Sequence, residues 1–175
     1  ALARPGGLAG AYFNNKWLFG APAVQRVDPT IAFQWPTLIT PTGRDSVSVR
    51  WTGWVQPPFS EVFEFTVRAN DGARLWVDGA LLINHFEDVS QTDGEVHEWT
   101  ARTATPLLGG RLYDIKLEFR EESGFAQPVR DACCERRLGA HDDEVDRVLL
   151  GEGDKRRAVQ DVDVGAFRDH RDTGV

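Results

Sequence analysis

The sequence predicts an all-β fold, an antiparallel β-sandwich or barrel, and three observations predict it. The first is the stretch Phe63 to Ile83. There Phe63, Phe65 and Val67 alternate with Glu64, Thr66 and Arg68, and two apolar runs, Arg74–Val77 and Ala80–Ile83, are separated by Asp78-Gly79 alone. Period-two alternation marks a strand with one buried face, and Asp-Gly between two such runs is the strongest short-range hairpin signal, because both residues tolerate the positive φ of a type I′ turn. The second is Tyr113 to Arg120, where Tyr113, Ile115, Leu117 and Phe119 alternate with four charged residues. The third is spacing: strand-like runs recur closely, punctuated by Gly, Pro, Asn and Asp, and no window before about residue 130 carries a helical period.

In chain order, Gly7–Phe13 reads as a short strand, followed by Asn14-Asn15 and an apolar anchor containing Trp17 and Leu18. Val24–Phe33 includes a turn at Asp28-Pro29, and Trp35-Pro36 stops any ladder because proline has no N–H to donate. Val47–Thr52 is a half-buried strand that Gly53 and Pro57-Pro58 are expected to end. A shorter strand is expected at Val96–Thr100. Trp51 and Trp76 are expected in the core, and Trp54, following the polar set Ser48, Arg50 and Thr52, is the better candidate for an exposed stacking platform.

A chain of 175 residues suits one domain with a substantial core. Its net charge of -7 argues against nucleic acid or an anionic membrane surface as partner. No apolar run approaches the roughly 18–20 residues needed to cross a bilayer, so a soluble protein without membrane insertion is expected. The first residues, Ala1–Pro5, form no signal peptide, and with no Met the chain reads as a processed product or fragment. Cys133 and Cys134 are adjacent and encode neither a disulfide framework nor a zinc site. His85 and His97 belong to no cluster with metal-ligand spacing. No nucleophile–base signature or phosphate loop is present, and Asp78 and Glu118 are explained by the turn and by strand alternation, so catalysis is not expected.

After Gln127 the character changes. All six Trp and both Tyr lie at or before Tyr113, whereas residues 127–175 hold a single aromatic, Phe167, among Asp, Arg, Val and Gly. Such a segment buries too little apolar area to offset its ordering entropy. It is expected to be disordered or, given 17 Arg against 3 Lys, to be read out of frame, with at most a short helix near Asp143–Leu150.

VRWTGWV (Val49–Val55), NDGARLWVDG (Asn70–Gly79), YDIKLEF (Tyr113–Phe119) with Ser123-Gly124-Phe125-Ala126, and the opening GLAGAYF (Gly7–Phe13) together resemble the protective-antigen (PA-fourteen) domain over about residues 7–126. The resemblance implies a β-sandwich module of the kind found in bacterial toxins, glycoside hydrolases and cell-wall adhesins. It also implies a non-catalytic, extracellular or cell-surface role in binding a glycan or polysaccharide. A protein-interaction module, or an accessory domain detached from a glycoside hydrolase, are the alternatives, each placing the chain beside other domains of a parent protein.

The resemblance further implies a calcium site, because sugar-binding members use a consecutive Asp-Asp pair and a later Asn to hold a calcium ion that binds two sugar hydroxyls. Oxygen donors suit such a hard cation. The matching positions are Asn70-Asp71-Gly72, where one acid is replaced by an amide, and the loop from Glu121-Glu122 to Ser123-Gly124, which has no Asn. Asn70, Asp71, Glu121 and Glu122 are therefore the candidate metal ligands, and Asn70, Asp71, Gly72 and Trp54 the candidate glycan-binding residues.

Overall fold

The computed structural model describes residues 6–33, 35, 37–88 and 95–122, with the backbone of 130–135 and 150–151. Its strands are β1 (Leu8–Phe13), β2 (Val24–Asp28), β3 (Val47–Val55), β4 (Glu64–Ala69), β5 (Ala73–Val77), β6 (Ala80–His85), β7 (His97–Arg102), β8 (Tyr113–Glu121), β9 (Arg130–Glu135) and β10 (Leu150–Gly151). They form two antiparallel sheets. The larger runs β2-β1-β3-β8-β5-β6, with β10 beside β3, and the smaller runs β7-β4-β9. Among the described residues there is no helix, and hence none long and apolar enough to cross a membrane.

The alternation in the sequence is the alternation of the sandwich. On β3, Val49, Trp51 and Val55 point inward; on β8, Ile115, Leu117 and Phe119 do; on β4, Phe65 and Val67 do. All are buried in one core between the sheets, the arrangement in which side chains of two inner faces interdigitate. Asp78 (φ 51°) and Gly79 (φ 77°) adopt the left-handed conformation expected of the hairpin between β5 and β6. Within the core, buried Asp28 accepts hydrogen bonds from Tyr12 Oη (2.5 Å), Trp51 Nε1 (2.7 Å) and Arg26 Nε (2.7 Å), so the largest side chains of β1 and β3 are tied to the end of β2. Burial first, and the Asp28 carboxylate second, push the Tyr12 hydroxyl well above its ordinary pKa.

Two expectations are corrected. β3 does not stop at Gly53; it continues to Val55, because Gly53 sits opposite Ile115 and ladder hydrogen bonds use the backbone alone. Trp76 is half-buried on the outer face of the large sheet, since it shares parity with Arg74 and not with inward Leu75 and Val77. In the smaller sheet β9, RDACCE, pairs with β4 through Glu64↔Glu135, Phe65↔Cys134 and Thr66↔Cys133. The Ser123–Ala126 motif and all of the expected helix but Leu150 lie outside the described residues.

Candidate functional site

Asn70-Asp71-Gly72 is the link by which the chain leaves the small sheet at β4 and enters the large one at β5. This crossover is buried: Asn70 is 4% exposed and Asp71 1%. Gly72 is required for space, not for an unusual φ. A Cβ there would stand 2.0 Å from the carbonyl oxygen of Phe86, while the Gly72 carbonyl accepts from the Arg120 amide at 2.9 Å. Close packing of these backbones holds the two polar side chains against the end of β8.

At that end Glu121 is fully buried. Asn70 Nδ2 donates to Glu121 Oε2 at 3.3 Å, and the Glu122 amide donates to Asp71 Oδ2 at 3.0 Å. Two oxygens are left over: Asn70 Oδ1 and Glu121 Oε1 are buried and have no hydrogen-bond partner among the described residues. An unsatisfied buried acceptor costs about 1–3 kcal/mol, so this cluster is poised to receive a donor or a cation. Burial first, and the nearby Asp71 charge second, push the Glu121 carboxyl up to about 8. Near neutral pH it therefore retains its proton for most of the time unless a cation offsets both effects.

A metal held here would take oxygens of Asp71 and Glu121, with the amide oxygen of Asn70. Among the described residues no group of three or more His, Cys, Asp or Glu side chains is placed to hold a metal. The set is two carboxylates and one amide, with water or ligand hydroxyls needed to complete the six to eight oxygens of a calcium ion. Its donors are hard oxygens, the type such a cation takes, and Glu121 must give up its proton to serve as one.

Glu122 does not join this set. Its carboxylate is paired with Lys16 and with Arg120 Nη2 (2.7 Å), and the Lys16 hydrogen bond, more than any other influence, holds its pKa below the ordinary value. It fastens the loop after β1 to β8. Trp54 is also elsewhere. It lies seven residues along β3 from Val47, the partner of Glu121, or about 23 Å at 3.3 Å per residue. Asn70, Asp71, Gly72 and Glu121 come together; Trp54 belongs to the opposite end of the large sheet's outer face.

There Trp54 meets residues that sequence reasoning had not joined to it. A cavity of about 570 Å³ is lined by Thr52, Trp54, Trp76, Gly79, Asp114 and Lys116, among others. Lys116 Nζ stands 3.7 Å from the Trp76 ring centroid. Strict alternation on β3, β5 and β8 was the signal for this grouping. His85 and His97, by contrast, stack on Trp99 at centroid distances of 4.8 and 5.6 Å.

Comparison with known proteins agrees with this architecture. The family model described as PA14 domain matches residues 4–137, a span that includes β9. The chain is 41% identical over 115 residues to anti-sigma-I factor RsgI3 of Acetivibrio thermocellus, covering 65% of this chain and 17% of that protein. A solved anti-sigma factor domain-containing protein from Clostridium clariflavum superposes with a TM-score of 0.58 at 30% identity, covering 79% of this chain and 50% of that one. A PA14 sugar-binding domain from an RTX adhesin superposes with a TM-score of 0.63 at 15% identity, covering 86% and 100%, which is likeness of fold. The chain therefore spans half or less of the anti-sigma relatives. The two-sheet architecture and the match over residues 4–137 lead to one conclusion: this chain belongs to the PA14 domain family.

Proposed function

We propose that the chain is a non-catalytic carbohydrate-binding module whose ligand is held at the end of the sandwich formed by Asn70-Asp71-Gly72 and Glu121, with calcium as the assisting cation. The observation that carries this reading is the pair of buried oxygens without partners among the described residues, Asn70 Oδ1 and Glu121 Oε1, beside the buried Asp71 carboxylate. A hard cation there satisfies both and neutralises the repulsion between Asp71 and Glu121. Its remaining coordination positions suit the vicinal hydroxyls of a sugar. The protein's own part is positional: Gly72 fixes the crossover, and the Glu122 amide orients Asp71.

The similarity to RsgI3, of which the chain spans a small part, supports a setting within a larger anti-sigma-factor-type protein, where this domain would be the extracellular, glycan-recognising portion. Two measurements test the reading. Calorimetric titration with calcium chloride should show uptake that Asp71→Ala abolishes, and a glycan array probed with and without calcium should show signals lost with chelator and with Asp71→Ala. An array identical in calcium and in chelator, together with no calcium uptake, refutes it.

A further inference from the structure

The outer face of the large sheet carries a second group of residues that the cation site does not use. Adjacent strands place them in rows. Arg50, Glu118 and Arg74 are in register across β3, β8 and β5; then come Thr52, Lys116 and Trp76; then Trp54 and Asp114. All point away from the core, because their neighbours Trp51, Val55, Ile115, Leu117, Leu75 and Val77 fill it. The first row is closed on itself, with buried Glu118 holding Arg50 Nε at 2.6 Å and Arg74 Nε at 2.5 Å. The next two rows open into the cavity of about 570 Å³, within the range of small-ligand sites.

The geometry points to a second, metal-independent carbohydrate subsite in this cavity, binding one or more residues of a polysaccharide chain across Trp54, Trp76, Asp114 and Lys116. It rests on the reading of the chain as a glycan-binding module. A sugar presents apolar C–H faces ringed by hydroxyls that both donate and accept, and the cavity offers the complement. The half-buried indole of Trp54 provides apolar surface, and the edge of Trp76 borders it. Lys116 supplies donors, Asp114 an acceptor and Thr52 a hydroxyl. Lys116 and Arg74 lie against the Trp76 ring, at 3.7 and 5.2 Å from its centroid, so the indole is already fixed and little side-chain entropy remains to be lost on binding.

The indole N–H of Trp54 is buried and has no acceptor among the described residues. A nucleic acid is disfavoured as occupant by the chain's net charge of -7. The row of Arg50, Glu118 and Arg74 stands between this cavity and the Asp71 end, so binding here needs no cation there.

The test uses the full chain in EGTA, with affinity electrophoresis through gels containing the neutral polysaccharides arabinoxylan or xyloglucan. Retention by at least one polysaccharide is expected to survive EGTA. Trp54→Ala and Lys116→Gln are expected to weaken it about tenfold or more, equal to about 1.4 kcal/mol. Lys116 is half-exposed, so its variant keeps the fold should Trp54→Ala disturb it, and equal melting temperatures confirm this. Retention in EGTA that neither substitution changes overturns the subsite. Retention present with calcium and absent in EGTA also overturns it, while leaving the Asp71 reading intact. Retention in EGTA without any calcium-dependent signal supports the subsite and refutes the other.

Discussion

Glu121 makes stability depend on pH in a direction opposite to that of most acids. Its folded-state pKa is raised from 4.5 to about 8, first by burial and then by Asp71. The folded protein therefore binds a proton that the unfolded chain has released. By linkage, the contribution is fully present below about pH 4.5, declines as pH rises, and is gone above about pH 8. At 1.36 kcal/mol per pH unit the interval amounts to about 5 kcal/mol, a ceiling that water entry and local relaxation reduce.

Glu121→Gln keeps the shape of the neutral acid and cannot ionise. In chelator, followed by Trp fluorescence during urea unfolding between pH 5 and pH 9, the wild type should lose several kcal/mol relative to this variant. The two should coincide near pH 5, and the variant should be the more stable at pH 9. Calcium should restore the wild type at pH 9 and leave the variant unmoved. Parallel pH profiles for the two proteins would refute the reasoning, because the slope would then belong to other groups.

Three further outcomes follow from particular contacts. Gly72→Ala drives a Cβ to within 2.0 Å of the Phe86 carbonyl oxygen, so it should cost at least about 3 kcal/mol in denaturant unfolding and weaken calcium uptake by displacing Asn70 and Asp71. Asp28→Ala strands the buried donors Tyr12 Oη and Trp51 Nε1, while Arg26 keeps water and its hydrogen bond to Tyr12 Oη, and it should cost about 2–4 kcal/mol by the same assay. Ending the chain after residue 137 should preserve a cooperative melt, whereas ending it after Gln127 removes β9 from beside β4. The shorter form should aggregate through the bared edge when followed by light scattering.

Several elements were legible in the residues because their signals are local. The alternation of Phe63–Val67 and Tyr113–Phe119 fixes which side chains share a face, and Asp78-Gly79 fixes a turn, since both depend on neighbours one or two positions away. The same rule, applied to Arg74-Leu75-Trp76-Val77, assigns Trp76 to the outer face; its apolar character had suggested the core instead. β9 was not legible. RDACCE carries no strand alternation of its own, and what defines its place is the backbone of β4 beside it.

By itself the sequence determined an all-β antiparallel sandwich, the hairpin, the buried faces and the kinship to PA14 domains, because side-chain periodicity and turn chemistry are written in consecutive residues. Only the tertiary structure decided the sites. Asn70 meets Glu121 across 51 positions, and Lys16 draws Glu122 away across 106. Trp54 faces Trp76 and Lys116 because three strands pair in one register. The physical reason is that desolvation and partnership belong to whatever covers a group. The affinity of Glu121 for its proton, and the two acceptors left waiting beside Asp71, are set by neighbours brought from distant parts of the chain.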